Sequence, residues 1–432
     1  MCSPHATNLW VSRIVPVVIV AIDAYSIWVV VDRLCLRYLL KPGPSLFDLS
    51  GPLDQELELV PRRPKTAIAI LAVYFPLMLL CFLTYFRILQ SVITNPGFIP
   101  RRASNSHHEE GGPGLSSKGP EVARSGGLDR VAVLEGRVLP PPGLDRFYNK
   151  DVWVCDQEGL PIFCDTCNNW KPARTHHCSD FNRCVRRMDH FCPWVGGVVS
   201  ETNMKYFLQF TCYGFLYTGF LFGIVIWAIV DRQRRIGTYD GNLIAFAVLS
   251  ALFGFMTGGM FGHTLHQQLL NLTTIEFLGR GSRTEFLAVY IPTFSRETTQ
   301  SRTITYPLPN SSTNYTPDAT ASELENGASA GVSRTFAIIQ TKPDDNIWDV
   351  GALNNLKSVL GERIWGWFLP FGDPPCCRHD DPLCDFPLGR DFYTLLDEHH
   401  LGNLFPRRGG RRRKRKRRTS HHSRHSSREA DR

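Results

Sequence analysis

Long apolar runs alternate with polar stretches along this chain. Ile14 to Val31 is apolar except for Asp23 and Ser26, and Ala67–Phe86, Tyr206–Val230 and Leu243–Phe261 carry no charge over 20, 25 and 19 residues. A helix needs about 20 such residues to cross the hydrocarbon core of a bilayer, so the pattern predicts an α-helical multi-pass membrane protein with four transmembrane helices, at 14–31, 67–86, 206–230 and 243–261. Four crossings return both chain ends to one side. Segments 1–13, 87–205 and 262–432 share that side, and loops 32–66 and 231–242 lie opposite. A carboxylate at mid-span is costly, so Asp23 is either functional, paired, or a neutral or snorkelling group in a marginal span. The Gly219-x-x-x-Gly223 and Gly254-x-x-x-Gly258 spacings allow close helix approach or arise by chance in apolar helices.

The polar stretches divide further. Arg101–Gly143, inside the linker 87–161, is rich in Gly, Ser, Pro and charge without an apolar period and reads as a flexible insert. Thr293–Ser333, inside the C-terminal region 262–406, reads the same way. Asn310 and Asn314 there match glycosylation acceptors that stay unmodified on a cytosolic face. Trp348, Trp365, Trp367 and Phe368 mark Asp344–Phe371 as a small amphipathic unit against the membrane face.

Charge sharpens this division. The formal net charge is +8, but Arg407–Arg418 alone holds ten Lys or Arg, so the remainder sums to 8 − 10, or −2. The polybasic tail 407–432 suits anionic lipid, at ~1 kcal/mol per basic residue near the surface. The same tail beside zinc knuckles also fits a nucleic-acid binder, which four spans argue against, so no nucleic-acid partner is expected. Basic residues in 87–205 and in the tail favour the cytosol for both, although loop Asp32–Lys65 holds six of its own.

Chemistry concentrates at 162–205. Cys164-x-x-Cys167, His177-Cys178 and Cys184 have the spacing of zinc knuckles, and metal-binding thiols belong in a reducing compartment, which puts this loop in the cytosol. Asp189-His190-Phe191-Cys192 follows directly. A thiol with a nearby base, itself next to a carboxylate, is the pattern of an activated nucleophile.

The stretch Cys164 to Phe207 resembles the cysteine-rich domain of the DHHC-type protein S-acyltransferases. It carries Lys-Pro-Ala-Arg-Thr-His-His-Cys at Lys171–Cys178 and Arg-Met-Asp-His-Phe-Cys-Pro-Trp at Arg187–Trp194, then Asn203 and Phe207. Asn95-Pro96-Gly97, Thr273-Thr274-Ile275-Glu276 and Asn355 match further family motifs. The resemblance implies four spans with a cytosolic zinc domain between the second and third. It implies a palmitoyl-CoA donor, Cys192 as nucleophile, His190 as general base and Asp189 as its orienting carboxylate. It makes Lys171, Arg174 and His176 contacts to the phosphates of acyl-CoA, and cysteines of membrane-associated proteins the acceptors. Endomembrane or plasma membrane follows as the location.

Departures from the family pattern carry their own expectation. Cys164, Cys167, His177 and Cys184 fill one zinc site. Phe181, Phe191 and Val198 stand where the family has the other ligands of a second, leaving Cys178 alone, so one zinc ion is expected. Phe191 in place of the second His resembles a divergent, fungal-type branch. Tyr217, about three turns into the third span, is either a wall of an acyl tunnel or simply a packed aromatic. Cys376 and Cys377 are either secondary acylation sites or unmodified loop thiols. The competing reading is a catalytically inactive zinc-binding membrane scaffold.

Overall fold

The computed structural model describes residues 4–41, 61–101, 127–292, 301–308 and 333–405. The polybasic tail, Asn310, Asn314 and most of both expected inserts lie outside these residues.

All four apolar runs are helices, each longer than its run. The first spans Pro4–Ile27 and winds on as a π-helix through Trp28–Leu40; the others are Pro64–Thr94, Met204–Ile236 and Gly241–Leu269. The stretches apolar enough to cross a membrane begin at Trp10 in the first and cover the whole of the other three. Backbone hydrogen bonding continues where hydropathy stops, so each helix runs past its apolar run. The third helix carries Asp231, Arg232, Arg234 and Arg235 before Gly237, at φ 70°, ends it in the left-handed conformation. Pro64 opens the second helix, and the Asp240 carboxylate accepts from Asn242 N–H at 2.9 Å to cap the fourth.

The end of the bundle remote from the cysteines is laced with ion pairs. Arg33 meets Asp240 at 2.9 Å, Arg37 meets Asp32 at 2.9 Å, and Asp231 takes Arg63 at 2.6 Å and Arg235 at 2.9 Å. Basic residues of this loop are thus partly neutralised by carboxylates at the same end. Of the glycine pairs, Gly254 and Gly258 lie against Thr218 and Phe215 of the third helix, whereas Gly219 and Gly223 face open space.

A four-stranded antiparallel sheet stands beside the bundle. Its strands are β1 (Val152–Cys155), β8 (Phe286–Ile291), β9 (Thr303–Tyr306) and β10 (Arg334–Gln340), in the order β1-β8-β10-β9. Alternate residues pack on opposite faces. Trp153, Ala288 and Phe336 meet Val133, Phe147 and Trp170 on one side; Val152, Val289 and Ala337 meet Trp348, Phe392 and Leu396 on the other.

Two stretches expected to be flexible contribute to this core. Helix Arg130–Leu134, capped by Asp129, buries Ala132 and Val133, and β9 buries Ile304 and Tyr306. Each is only four or five residues long, too short for its apolar pattern to stand out from polar flanks.

The cysteine-rich region is three two-stranded hairpins: β2 (Phe163–Cys164) with β3 (Asn169–Trp170), β4 (His176–Cys178) with β5 (Arg183–Val185), and β6 (His190–Cys192) with β7 (Gly197–Val199). The segment after the second span is stitched to it, Arg186 N–H bonding Gly97 C=O and Ile99 N–H bonding Cys184 C=O, both at 2.9 Å.

The 344–371 stretch splits rather than forming one unit. Trp348 is buried beneath Arg174, in the core on one face of the sheet. Beyond helix Ala352–Leu360, residues 361–372 lie along the start of the third span. Gln209 Nε2 donates to the carbonyls of Gly366, Trp367 and Leu369, Tyr213 to that of Phe368, and Lys205 to that of Phe371. Ile364, Trp365, Phe368 and Phe371 point outward. A single helical turn, Trp365–Phe368, with flanking carbonyls satisfied from the protein and apolar side chains outside, fits a segment dipped into lipid.

Candidate active site

Period-two alternation along β6 sends His190 and Cys192 to one face and Phe191 to the other. The hairpin turns through Pro193–Val195 and Gly196, whose φ of 76° suits glycine. Gly197 lies so close to the second span that an added Cβ would meet Val92 at 2.5 Å. Cys192 is buried with Tyr85, Ile88, Phe207 and Val359, at the junction of hairpin, second and third spans and helix Ala352–Leu360.

His190 Nδ1 sits 2.7 Å from Asp189 Oδ2. That carboxylate is itself fixed, accepting from Thr274 N–H at 3.0 Å and from the Thr274 hydroxyl at 2.7 Å. Nε2, the other ring nitrogen, is buried without a well-formed hydrogen bond on the Cys192 side of the strand. Burial alone would depress the imidazole, but its interactions with Asp189 and Cys192 prevail and raise it to about 9. His190 therefore holds its proton at neutral pH, next to a thiol.

Thr274 is positioned by the end of the fourth span. Thr273 caps helix Thr274–Gly279 in a reciprocal capping box with Glu276, whose carboxylate also takes two bonds from Arg174, at 2.8 and 2.6 Å. Arg174 Nη1 and Arg187 Nη2 both donate to Asn271 Oδ1, at 2.9 and 2.8 Å. Burial would raise Glu276, yet the Arg174 charge and hydrogen bonds hold it down at about 2. Asn355 closes the arrangement from the C-terminal side, donating to Leu269 C=O at 2.8 Å.

The three residues expected at the CoA phosphates stand differently in this network. Arg174 is buried and all three of its guanidinium nitrogens donate to Glu276 or Asn271, so it has no face for a ligand. Burial and the Arg283 charge push His176 down to about 4, leaving it neutral. Only Lys171 of the three is a half-exposed cation without a partner among the described residues. Sequence gave no sign that Arg174 faces inward, because its partners lie about 100 residues away.

Cys164, Cys167, His177 and Cys184 converge, with all ligand atoms within 4.8 Å of one another, as a group that could hold a metal ion. On the other face of β6, Phe191 joins Cys178, Val185, Met188, Val198, Phe98, Phe181 and Ile275 in an apolar cluster. Cys376 and Cys377 both point at the carbonyl of Glu201.

A mostly apolar cavity opens among the spans. Trp194 and Phe210 line it near Cys192, while Ser26, Tyr217 and Phe246 line it deeper in the bundle. Ser26 Oγ lies 2.9 Å from Tyr217 Oη and 3.0 Å from Tyr74 Oη, so three hydroxyls tie the first, second and third spans together there.

Residues 158–280 match the family model described as DHHC palmitoyltransferase. Over 412 residues, 88% of this chain and 88% of the relative, the sequence is 36% identical to palmitoyltransferase pfa5 of Aspergillus fumigatus. It is 34% identical to pfa5 of Emericella nidulans, over 88% of this chain and 84% of that protein. Palmitoyltransferase PFA3 of Yarrowia lipolytica is 28% identical over 61% of this chain and 57% of its own length.

Proposed function

The chain belongs to the DHHC palmitoyltransferase family, and from this we propose that Cys192 carries a long-chain acyl group from acyl-CoA to cysteines of membrane-associated proteins. The observation that carries the assignment of roles is the chain of contacts Thr274–Asp189–His190 ending on the face of β6 that holds Cys192.

An imidazolium beside a thiol favours the thiolate, which is the reactive form. The Cys192 thiolate attacks the thioester carbonyl carbon; the carbon–sulfur bond to CoA breaks, and the CoA thiolate leaves with the proton held at His190 Nε2. In the second half the acceptor cysteine gives its proton to His190, attacks the acyl carbon and releases the Cys192 thiolate. Asp189 orients the ring and stabilises its charge, while Thr274 keeps the carboxylate in register. The cavity suits the hydrocarbon chain, with the Ser26–Tyr217 pair as its deep wall. Lys171 is the surface cation left for a CoA phosphate.

Zinc fits the cysteine cluster. Tetrahedral bonds of ~2.3 Å to sulfur and ~2.0 Å to nitrogen separate the two donors by about 3.6 Å, and His177 Nδ1 lies 3.3, 3.6 and 4.0 Å from the sulfurs of Cys167, Cys164 and Cys184. Zinc held there would supply folding energy to the knuckle, not a reacting group. One ion per chain is our reading, supported by the apolar cluster on the far face of β6.

All twelve described cysteines are free, which supports a reducing side for the catalytic face, hence the cytosol. Membrane anchoring would draw on residues 361–372, and the basic tail on anionic lipid.

The test is acyl incorporation by purified protein in detergent from labelled palmitoyl-CoA, comparing wild type with Cys192→Ala. Label that hydroxylamine removes, absent from the variant, is expected. A folded, zinc-loaded wild type that takes up no label would leave only the scaffold.

A further inference from the structure

Cys376 and Cys377 take no part in the transfer described above, yet their exposure sets them apart. Of the twelve described cysteines eight are buried, and of the four half-buried ones Cys81 and Cys212 lie within membrane spans. Cys376 and Cys377 are therefore the described thiols that a water-borne reagent meets first. They sit on the turn Pro375–Cys377 with their sulfurs 3.5 and 3.4 Å from the carbonyl oxygen of Glu201, in hydrogen-bonding contact with each other.

Arg187 gives Cys376 a role there. Its side chain is buried, and its hydrogen bonds go to the neutral oxygens Gln268 Oε1 at 3.3 Å and Asn271 Oδ1 at 2.8 Å. It forms no ion pair with a carboxylate among the described residues. A buried guanidinium needs an anion. The Cys376 sulfur meets that guanidinium, and the Cys377 thiol as donor together with the Arg187 charge holds Cys376 below the ordinary thiol range despite its burial. Cys377 moves the opposite way, pushed up by the neighbouring sulfur and by burial. A thiolate beside a thiol pairs a sulfur that reacts with one that resolves.

Arg187 also reaches the catalytic network. Asn271 Oδ1 is shared between Arg187 and Arg174, and Asn271 leads into the Thr273–Thr274 turn that holds Asp189. The Arg187 backbone has a φ of 42°, a left-handed conformation that a non-glycine residue keeps only when its surroundings hold it.

We propose that Cys376 and Cys377 form a peroxide-sensitive pair whose oxidation to a disulfide takes the counter-ion from Arg187 and slows acyl uptake. The slowing rests on the reading of Cys192 as the acylated thiol; the disulfide does not. The Cys376 sulfur attacks one oxygen of hydrogen peroxide, the O–O bond breaks, and hydroxide leaves a sulfenic acid behind. Cys377 then attacks that sulfur; the S–S bond forms as the S–O bond breaks, and the departing hydroxide takes the Cys377 proton as water. Two electrons pass from the thiols to the peroxide. Consecutive Cα atoms stand ~3.8 Å apart, closer than the roughly 4.4–6.8 Å usual for a disulfide, so the bond is strained and readily reduced.

The experiment treats full-length protein in detergent with stoichiometric hydrogen peroxide and digests it with trypsin without reduction. Cleavage after Arg363 and Arg378 puts both cysteines on residues 364–378. That peptide should appear two hydrogens lighter, with the Cys192 peptide unchanged. The initial rate of hydroxylamine-labile label uptake should fall about tenfold, the scale of losing one charge-assisted hydrogen bond, and return after dithiothreitol. Cys377→Ser, whose hydroxyl still donates to Cys376, should keep the untreated rate and show no lighter peptide. Cys376→Ser should start about tenfold slower and lose no further rate to peroxide. An unmodified 364–378 peptide would overturn the proposal, as would a disulfide without slower uptake, or a Cys376→Ser enzyme that peroxide slows as much as wild type. A wild type that takes up no label overturns the Cys192 reading and the slowing with it, while the peptide mass still decides the disulfide.

Discussion

Replacing Thr274 by Val removes one hydroxyl and leaves the helix it opens almost unchanged in shape. The Thr274 N–H still meets Asp189 Oδ1 at 3.0 Å, but the 2.7 Å bond to Oδ2, the oxygen that also faces His190, is lost. Asp189 is 2% exposed, so water does not readily replace the missing donor. A hydrogen bond to a charged group contributes ~1.5–3 kcal/mol. If that energy holds the carboxylate in register with the imidazole, autoacylation should slow roughly 10- to 100-fold. The measurement is the initial rate of hydroxylamine-labile label uptake, with thermal unfolding of the same samples showing that the bundle is intact. Thr274→Ser keeps the hydroxyl and should recover most of the rate, which a purely packing role for the Thr methyl would not produce. A folded Thr274→Val enzyme as fast as wild type would refute the claim that Asp189 must be held.

Autoacylation should fall as pH rises through about 9, because the raised His190 keeps its proton below that point and loses it above; a rate still climbing past pH 10 would contradict the imidazolium reading. Glu276→Gln leaves the Arg174 guanidinium buried without its carboxylate, which should destabilise the fold by ~3–5 kcal/mol, measured as a drop in unfolding temperature. With Glu276 depressed to about 2, the stability it contributes is present above pH ~4.5 and lost as pH falls toward 2, and a pH series of the same unfolding assay checks this sign. Metal analysis should return one zinc per chain, abolished by Cys167→Ser, and a value of two would overturn the single-site reading. Phe191→His, the change toward the family pattern, puts a polar ring among Cys178, Val198 and Phe181 and should cost ~1–3 kcal/mol rather than improve the enzyme.

The spans, the metal cluster and the shared strand face of His190 and Cys192 were legible because each depends on near neighbours in sequence: uncharged runs, knuckle spacing, and the two-residue period of a strand. What stayed hidden depends on distance. Strand β8 pairs with β1 across more than 130 residues, β10 pairs with β8 and β9 across roughly 30 to 50, and none is long enough to declare itself alone. Arg174 was expected at a CoA phosphate from the resemblance, whereas Glu276 and Asn271 turn it inward. Trp348 was grouped with Trp365 by proximity, yet one lies under a guanidinium and the other faces outward.

These long-range contacts also explain how one metal cluster can serve a site that it does not touch. The knuckle around Cys164 and Cys184 fixes β5, and β5 carries the chain into Arg187 and Asp189. From there the hairpin of β6 and β7 is held on three sides by protein contacts: by the Phe191 cluster on the reverse of β6, by the second span against Gly197, and by Thr274 at Asp189. Arg174 ties the knuckle to the last of these supports, since it leaves the knuckle loop and ends on the Glu276 of the helix that Thr274 opens. A second metal would brace the hairpin from the position that Phe181, Phe191 and Val198 occupy. Apolar packing there supplies the same constraint, which is why His190 and Cys192 keep their shared face while the residue between them is free to be phenylalanine.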